Sequence, residues 1–156
     1  VSLPLIREQI KAILSGVAGI GIVHDYERWT SEWSKFLDLY KDSSGKINGC
    51  TISRKSTGRK KIIMGGDFDK NHTFVIHFIM GLKDSDATGI IFDALLDAAA
   101  AAFENSGALN GTCLTCSPGW GEMAGTAGLQ IDVVDIRLFG SVLCHYAECR
   151  LGVMER

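Results

Sequence analysis

Apolar residues near the start of the chain recur at spacings of three and four. Leu3, Ile6, Ile10, Ile13 and Leu14 form one face, with Arg7, Glu8 and Lys11 between them, which predicts an amphipathic first helix. Gly16, opening "GVAGIG", stands where a C-cap would end it. The short run Ile20 to Val23 reads as a strand. In "HDYERWTSEWSKFLDLY", Thr30 or Ser31 can cap a second helix that carries Trp33, Phe36, Leu37 and Tyr40 on one side. After the turn residues of "KDSSGK" the period changes to two. "INGCTISRKST" alternates, and "HTFVIHFIMGL" places Phe74, Ile76, Phe78, Met80 and Leu82 on one face of a strand. Between them, "GRKKIIMGGDFDKN" joins a basic cluster to a glycine-rich turn, a long excursion or a third strand.

The helical period returns in "KDSDATGIIFDALLDAAAAAFENSG". Asp84, Ser85 or Asp86 is expected to cap this helix and Gly107 to stop it. Ile90, Ile91, Ala94, Leu95, Ala98, Ala102 and Phe103 are its expected apolar stripe, and Asp86, Asp93, Asp97 and Glu104 its wet side. Residues 108–127 follow, rich in Gly, Thr and Ser. A loop of that length in a compact domain is functional, strand-containing or ordered by a partner. Two strands, about 129–138 and 141–153 around "FGS", close the chain. In the second, alternation puts Cys144 and Tyr146 on one face and His145, Ala147 and Cys149 on the other.

The order α-(β)-α-β-β-α-β-β lacks the alternation of a doubly wound sheet. It predicts a single α+β domain over residues 1–156, an antiparallel or mixed β-sheet packed against two main helices. Segments 54–71 and 108–127 are expected to be flexible. Length and composition agree: 156 residues, 46% hydrophobic and 22% charged, can bury a core without disulfides or metal. No stretch approaches the roughly 18 uninterrupted apolar residues of a membrane span, so no membrane partner is expected. The five cysteines, an odd number, point to reduced thiols in a cytosol. A net charge of −2 gives no global drive toward nucleic acid, so any such contact must be local.

Candidate chemistry is thin. "CLTC", Cys113 and Cys116, is half of a zinc site or a redox pair. Completing it with Cys144, His145 and Cys149 would require neighbours that strand geometry sends to opposite faces. Burial of these thiols is the expected reading, and no metal, cofactor or catalytic residue is assigned. "HDYERW" groups His24, Asp25 and Glu27, but no second motif supports acid–base work. A polar junction anchored by Tyr26 and Trp29 is expected. "GVAGIG" has the wrong glycine spacing for a nucleotide fingerprint. Arg54, Lys55, Arg59, Lys60 and Lys61 make the one dense basic patch. It is either a solvated hairpin tip or a surface facing DNA or an acidic partner.

Four phrases carry a resemblance. "GIGIVHDYERW", "SEWSKF", "GKINGCTISRKST" and the closing "LQIDVVDIRLFGSVLCHYAECRL" together resemble small Mu-like prophage proteins, the tail terminator (tail completion) proteins of long-tailed phages. The resemblance runs from about residue 3 to 151, with "CLTCSPGWGEM" its least typical part. It implies a tail-terminator-like α+β subunit, not an enzyme, that forms a hexameric ring on the head-proximal end of the tail tube. Such a ring stops tube polymerisation and joins the tube to a head-completion or neck protein.

The implied partners are further copies of the chain, the tail tube protein, the neck or head-completion protein and the sheath protein. DNA would pass through the lumen without sequence reading. The implied location is the virion tail, reached from the cytoplasm of the bacterial host. On charge alone, Arg54, Lys55, Arg59, Lys60 and Lys61 are candidates for the lumen or a partner. Cys113, Cys116, Trp120 and Met123 are candidates for a partner-contact loop. Two other readings stand beside this one: a different neck or head-completion adaptor, and a small thiol- or metal-dependent enzyme.

Overall fold

The computed structural model describes residues 2–62 and 66–156. Helix α1 (Leu3–Ser15) is followed by strand β1 (Ile22–His24), helix α2 (Trp33–Asp38) and the long strands β2 (Asn48–Lys61) and β3 (Phe68–Gly81). Helix α3 (Thr88–Glu104) then precedes strands β4 (Leu129–Phe139) and β5 (Val142–Glu155). The five strands form one mixed sheet in the order β1-β2-β3-β5-β4, in which β1 runs parallel to β2 and every other pair is antiparallel. The α+β expectation is met.

Alternation along the strands divides the molecule into layers. Cys50 and Ile52 of β2, Phe74, Ile76 and Phe78 of β3, and Ala147, Cys149, Leu151 and Val153 of β5 point to one side. There they meet Ile6, Ile10 and Leu14 of α1 and Phe92, Leu95, Leu96, Ala99 and Phe103 of α3. Burying side chains of this size is worth about 1.5–3 kcal/mol each, so this layer dominates stability. On the opposite face a smaller cluster joins Phe36, Leu37 and Tyr40 to Ile79, Cys144 and Tyr146. β1 can lie tight against β2 because Gly21 has no side chain: a Cβ there would sit 1.8 Å from the Asn48 carbonyl oxygen.

Three expectations need correction. The buried face of α3 is Phe92, Leu95, Leu96, Ala99 and Phe103, while Ile90, Ile91 and Ala94 are exposed. The expected stripe is therefore rotated: the strand nearest α3 is β4, and a groove stays open between Ile90 and Val134 and Ile136 of that strand. Asp84, Ser85 and Asp86 form a separate 3-10 turn, and the residue at the N-cap is Ala87, in the left-handed region at φ 52°.

The segment 54–71, expected to be flexible, is largely a paired hairpin: β2 and β3 stay in register out to Lys61 and Phe68. A bulge at Lys55 interrupts the pairing between Arg54 and Ser56. Residues 63–65 of that segment lie outside the described residues.

Candidate functional site

The closing hairpin, with its cysteines and histidine, is structural. Cys144 and Tyr146 lie on the α2 side of the sheet, and Ala147 and Cys149 on the α3 side. His145 also faces α3, where its ring stacks on Phe92 and its Nε2 is 2.9 Å from Thr88 Oγ1. The period-two reading of this strand was right. Burial pushes the thiols of Cys144 up to about 11 and of Cys149 up to about 12, so neither supplies a thiolate at neutral pH.

The "CLTC" loop is tied down along its length. Thr115 bridges Met154 through the Leu114 N–H to Met154 carbonyl and Met154 N–H to Thr115 carbonyl bonds. Cys116 N–H donates to the Gly107 carbonyl, and Gly128 N–H to that of Cys116. The loop takes the place of β4 beside the last residues of β5. Cys113, Cys116 and Met123 are buried: the two thiols join the main core, and Met123 packs beside Gly152 of β5.

Hydrogen bonding between the two thiols holds Cys113 below the ordinary thiol range and pushes Cys116 above it. Among the described residues, no three His, Cys, Asp or Glu side chains converge as a metal site. Trp120 is half-buried, its carbonyl accepting from Asn71 Nδ2 and its ring lying against Gly58 and Lys60.

His24, Asp25 and Glu27 form no acid–base group. His24 donates through Nε2 to the Leu39 carbonyl at 2.6 Å, and the Asp25 carbonyl accepts from Arg7 at 2.7 Å. The junction is polar, as expected, but His24 anchors it. Tyr26 and Trp29 are exposed, the latter stacked on Phe36.

The basic patch is divided by the pleat. Lys55 and Lys60 turn to the face covered by the 117–124 loop. There Lys55 Nζ donates to Glu122 Oε1 at 2.7 Å, and Lys60 sits over the Trp120 ring. Arg54 and Arg59 belong to the α1 side, lining a pocket with Lys70, His72 and Glu155. Lys61, paired with Phe68, ends the strand. The five cations do not make one surface.

The largest unassigned feature is apolar. β4 is an outer strand of the sheet, and its outward edge has no strand partner among the described residues. On its α3 side, Val134, Ile136 and Leu138 stand beside Leu143 of β5 and Ile90 of α3, each 50–75% exposed. Between strand and helix runs a groove of about 500 Å³, bordered by Ile90, Phe92, Val134, Ile136 and His145. Around the β4–β5 turn the apolar surface continues through Phe139 to the exposed Trp33, their rings 5.9 Å apart. Monomeric proteins rarely leave such a ridge and a regular strand edge open together.

Sequence reasoning missed this ridge. The available signal was Ile90, which falls by spacing among the acidic positions Asp93, Asp97 and Glu104 of α3.

Compared with known proteins, the chain matches no family model and no curated relative.

Proposed function

We propose that the chain is a ring-forming assembly subunit of the tail-terminator type, acting through its surfaces and not through a reaction. The observation that carries this reading is the uncovered apolar ridge on β4 and α3 beside an unpaired strand edge. Covering it removes several large aliphatic side chains from water, each worth about 1.5–3 kcal/mol when fully buried.

The occupant is a second copy of the chain. The phrases that resemble tail terminators imply a closed ring, in which each subunit offers one patch and receives a different one. Such heterologous contacts close when the rotation between neighbours divides a full turn. In a hexamer on the tail tube, one ring face would match the last tube layer and the other would meet a neck or head-completion protein. The tube cannot grow past a face that lacks its own subunit surface. The paired hairpin of β2 and β3 and the ordered 108–127 loop supply rigid, shaped surfaces for those partners.

Native mass spectrometry and negative-stain imaging, on the chain alone and mixed with tail tube protein, test the reading. The expected result is a hexameric ring in at least one condition, reduced to monomer by Ile136→Lys with Leu138→Lys. A chain that stays monomeric with tube protein present would overturn it.

A further inference from the structure

All five cysteines are free thiols, and among the described residues only Cys113 and Cys116 are placed to meet. Cys50 on β2 and Cys149 on β5 face the same side of the sheet, but β3 runs between them. Neighbouring strands lie about 4.8 Å apart, so these two Cα atoms exceed the roughly 7 Å that a disulfide can span. Cys144 points to the opposite face, among Phe36, Tyr40 and Ile79. The one thiol that acts on Cys116 is that of Cys113.

The backbone holds the pair side by side. Cys113 N–H donates to the Ala108 carbonyl at 3.3 Å, and Cys116 N–H to the adjacent Gly107 carbonyl at 2.7 Å. Both side chains turn into the main core. The two residues between them hold the end of β5. Leu114 N–H donates to the Met154 carbonyl at 2.8 Å, and Met154 N–H to the Thr115 carbonyl at 2.9 Å.

The two thiols are not equivalent. Cys113 is 8% exposed and Cys116 1%, so a reagent arriving from solvent meets Cys113 first. The Cys116 thiol and the Thr115 amide favour the Cys113 thiolate, while the same contact, with burial, keeps Cys116 protonated. The thiolate is the attacking form in exchange with a disulfide, so the arrangement sets an order of reaction.

We propose that Cys113 and Cys116 form a reversible thiol–disulfide site, oxidised by a low-molecular-weight disulfide, whose closure clamps the end of β5. The Cys113 sulfur attacks one sulfur of the small disulfide. That S–S bond breaks, one thiolate leaves, and a mixed disulfide forms on Cys113. The charge that held the Cys116 proton is then gone, and the proton passes to the departing thiolate. The Cys116 sulfur attacks Cys113 Sγ, which forms the Cys113–Cys116 bond and expels a second thiolate. The pair loses two electrons and two protons, Cys113's by way of solvent, and the small disulfide becomes two thiols. The closed ring contains Leu114 and Thr115, so the loop can no longer peel from Met154 one residue at a time. The site does not depend on assembly into a ring of subunits.

Treatment of the reduced full chain with excess oxidised glutathione at pH 7, then alkylation in urea and tryptic mass spectrometry, tests the site. The peptide 84–137 holds Cys113 and Cys116 and no other cysteine. It is expected to lose two hydrogens and take no alkyl group, while Cys50, Cys144 and Cys149 are alkylated. A dithiol should restore both thiols. Cys116→Ser should trap glutathione on Cys113, and Cys113→Ser should leave Cys116 reacting at least tenfold more slowly than Cys113 does. Hydrogen exchange at the Met154 amide should be at least threefold slower in the oxidised chain. A glutathione adduct that persists on the unaltered chain without closure would overturn the proposal. So would closure of another pair, equal reactivity in the two variants, unchanged exchange at Met154, or no oxidation by glutathione disulfide.

Discussion

The imidazole of His145 lies nearly parallel to the ring of Phe92, their centroids 5.4 Å apart, and so fastens β5 to the first turn of α3. The fastening continues through Thr88, whose hydroxyl reaches His145 Nε2 and also accepts from the Lys83 amide at 3.0 Å. Truncating Phe92 removes a fully buried ring from this junction, so Phe92→Ala is expected to cost about 3–5 kcal/mol. Ile90→Ser, two residues earlier on the exposed ridge, should change monomer stability by no more than about 0.5 kcal/mol. Urea unfolding of both variants at a concentration where the chain is monomeric measures the contrast. Similar losses would place both residues in the core and contradict the observed rotation of the helix.

Ala87 holds a left-handed backbone at the N-cap of α3, with φ 52° and ψ 43°. For an alanine this conformation costs roughly 1–2 kcal/mol, which glycine avoids while giving back part of the gain in chain entropy. Ala87→Gly should therefore stabilise the protein by about 0.5–1 kcal/mol. A raised midpoint in thermal unfolding would show it. An unchanged or lowered midpoint would mean that the methyl group contributes more than the strain costs.

Gly152 lies in β5 under the loop that carries Cys116 and Met123. A Cβ added there would stand 2.7 Å from Met123 Cβ and 2.8 Å from Pro118 Cγ. Gly152→Ala must lift this loop or shift the strand, at a cost of about 1–3 kcal/mol typical of overpacking. The displacement should be local: thiol labelling should become faster at Cys113 and Cys116 while Cys50, buried between sheet and helices, keeps its rate. Uniform acceleration at all three would indicate general loosening instead.

How much of this could be read beforehand depends on what each segment lets the pattern decide. In β5, strict period-two alternation assigned Cys144, Tyr146, Ala147 and Cys149 to their faces, because a one-residue slip would bury Glu148 and Arg150. In α3, apolar residues occupy nearly every position from Ile90 to Phe103, so periodicity alone could not choose the buried stripe. The choice was made by the tertiary packing of Phe92, Leu95, Leu96, Ala99 and Phe103 against the sheet.

The hairpin bearing Arg54 to Lys61 was obscured by polar and glycine residues of low strand propensity. Its pairing is propagated by the apolar partners Phe74 and Ile76 further along β3. Dividing the basic patch needs both alternation and the bulge at Lys55, which returns Arg59 to the face of Arg54 and which no local pattern announces. The pocket of His72 and Glu155 joins residues 83 positions apart through the register of β3 with β5, a relationship no local pattern carries.

The same pair makes stability sensitive to acid. Burial pushes the pKa of His72 below its ordinary value near 6.5, outweighing the attraction of Glu155, and Arg54 and Lys70 push the same way. The folded chain then takes up this proton later than the unfolded chain as pH falls. Stability should begin to decline below about pH 6.5 and continue falling down to the depressed folded pKa. For Glu155, burial raises the pKa, but His72 and Lys70 together lower it by more, leaving it below the ordinary value near 4.5. Its contribution is present above that value and is lost as pH falls through the folded pKa. Both groups act in the same direction, in successive windows.

Thermal midpoints measured from pH 8 to about pH 3 should be level above about pH 6.5 and then fall in two stages. His72→Asn, which keeps a polar partner for Thr57 but does not titrate, should flatten the upper stage and leave the lower one. An unaltered upper stage in that variant would assign the decline to another group.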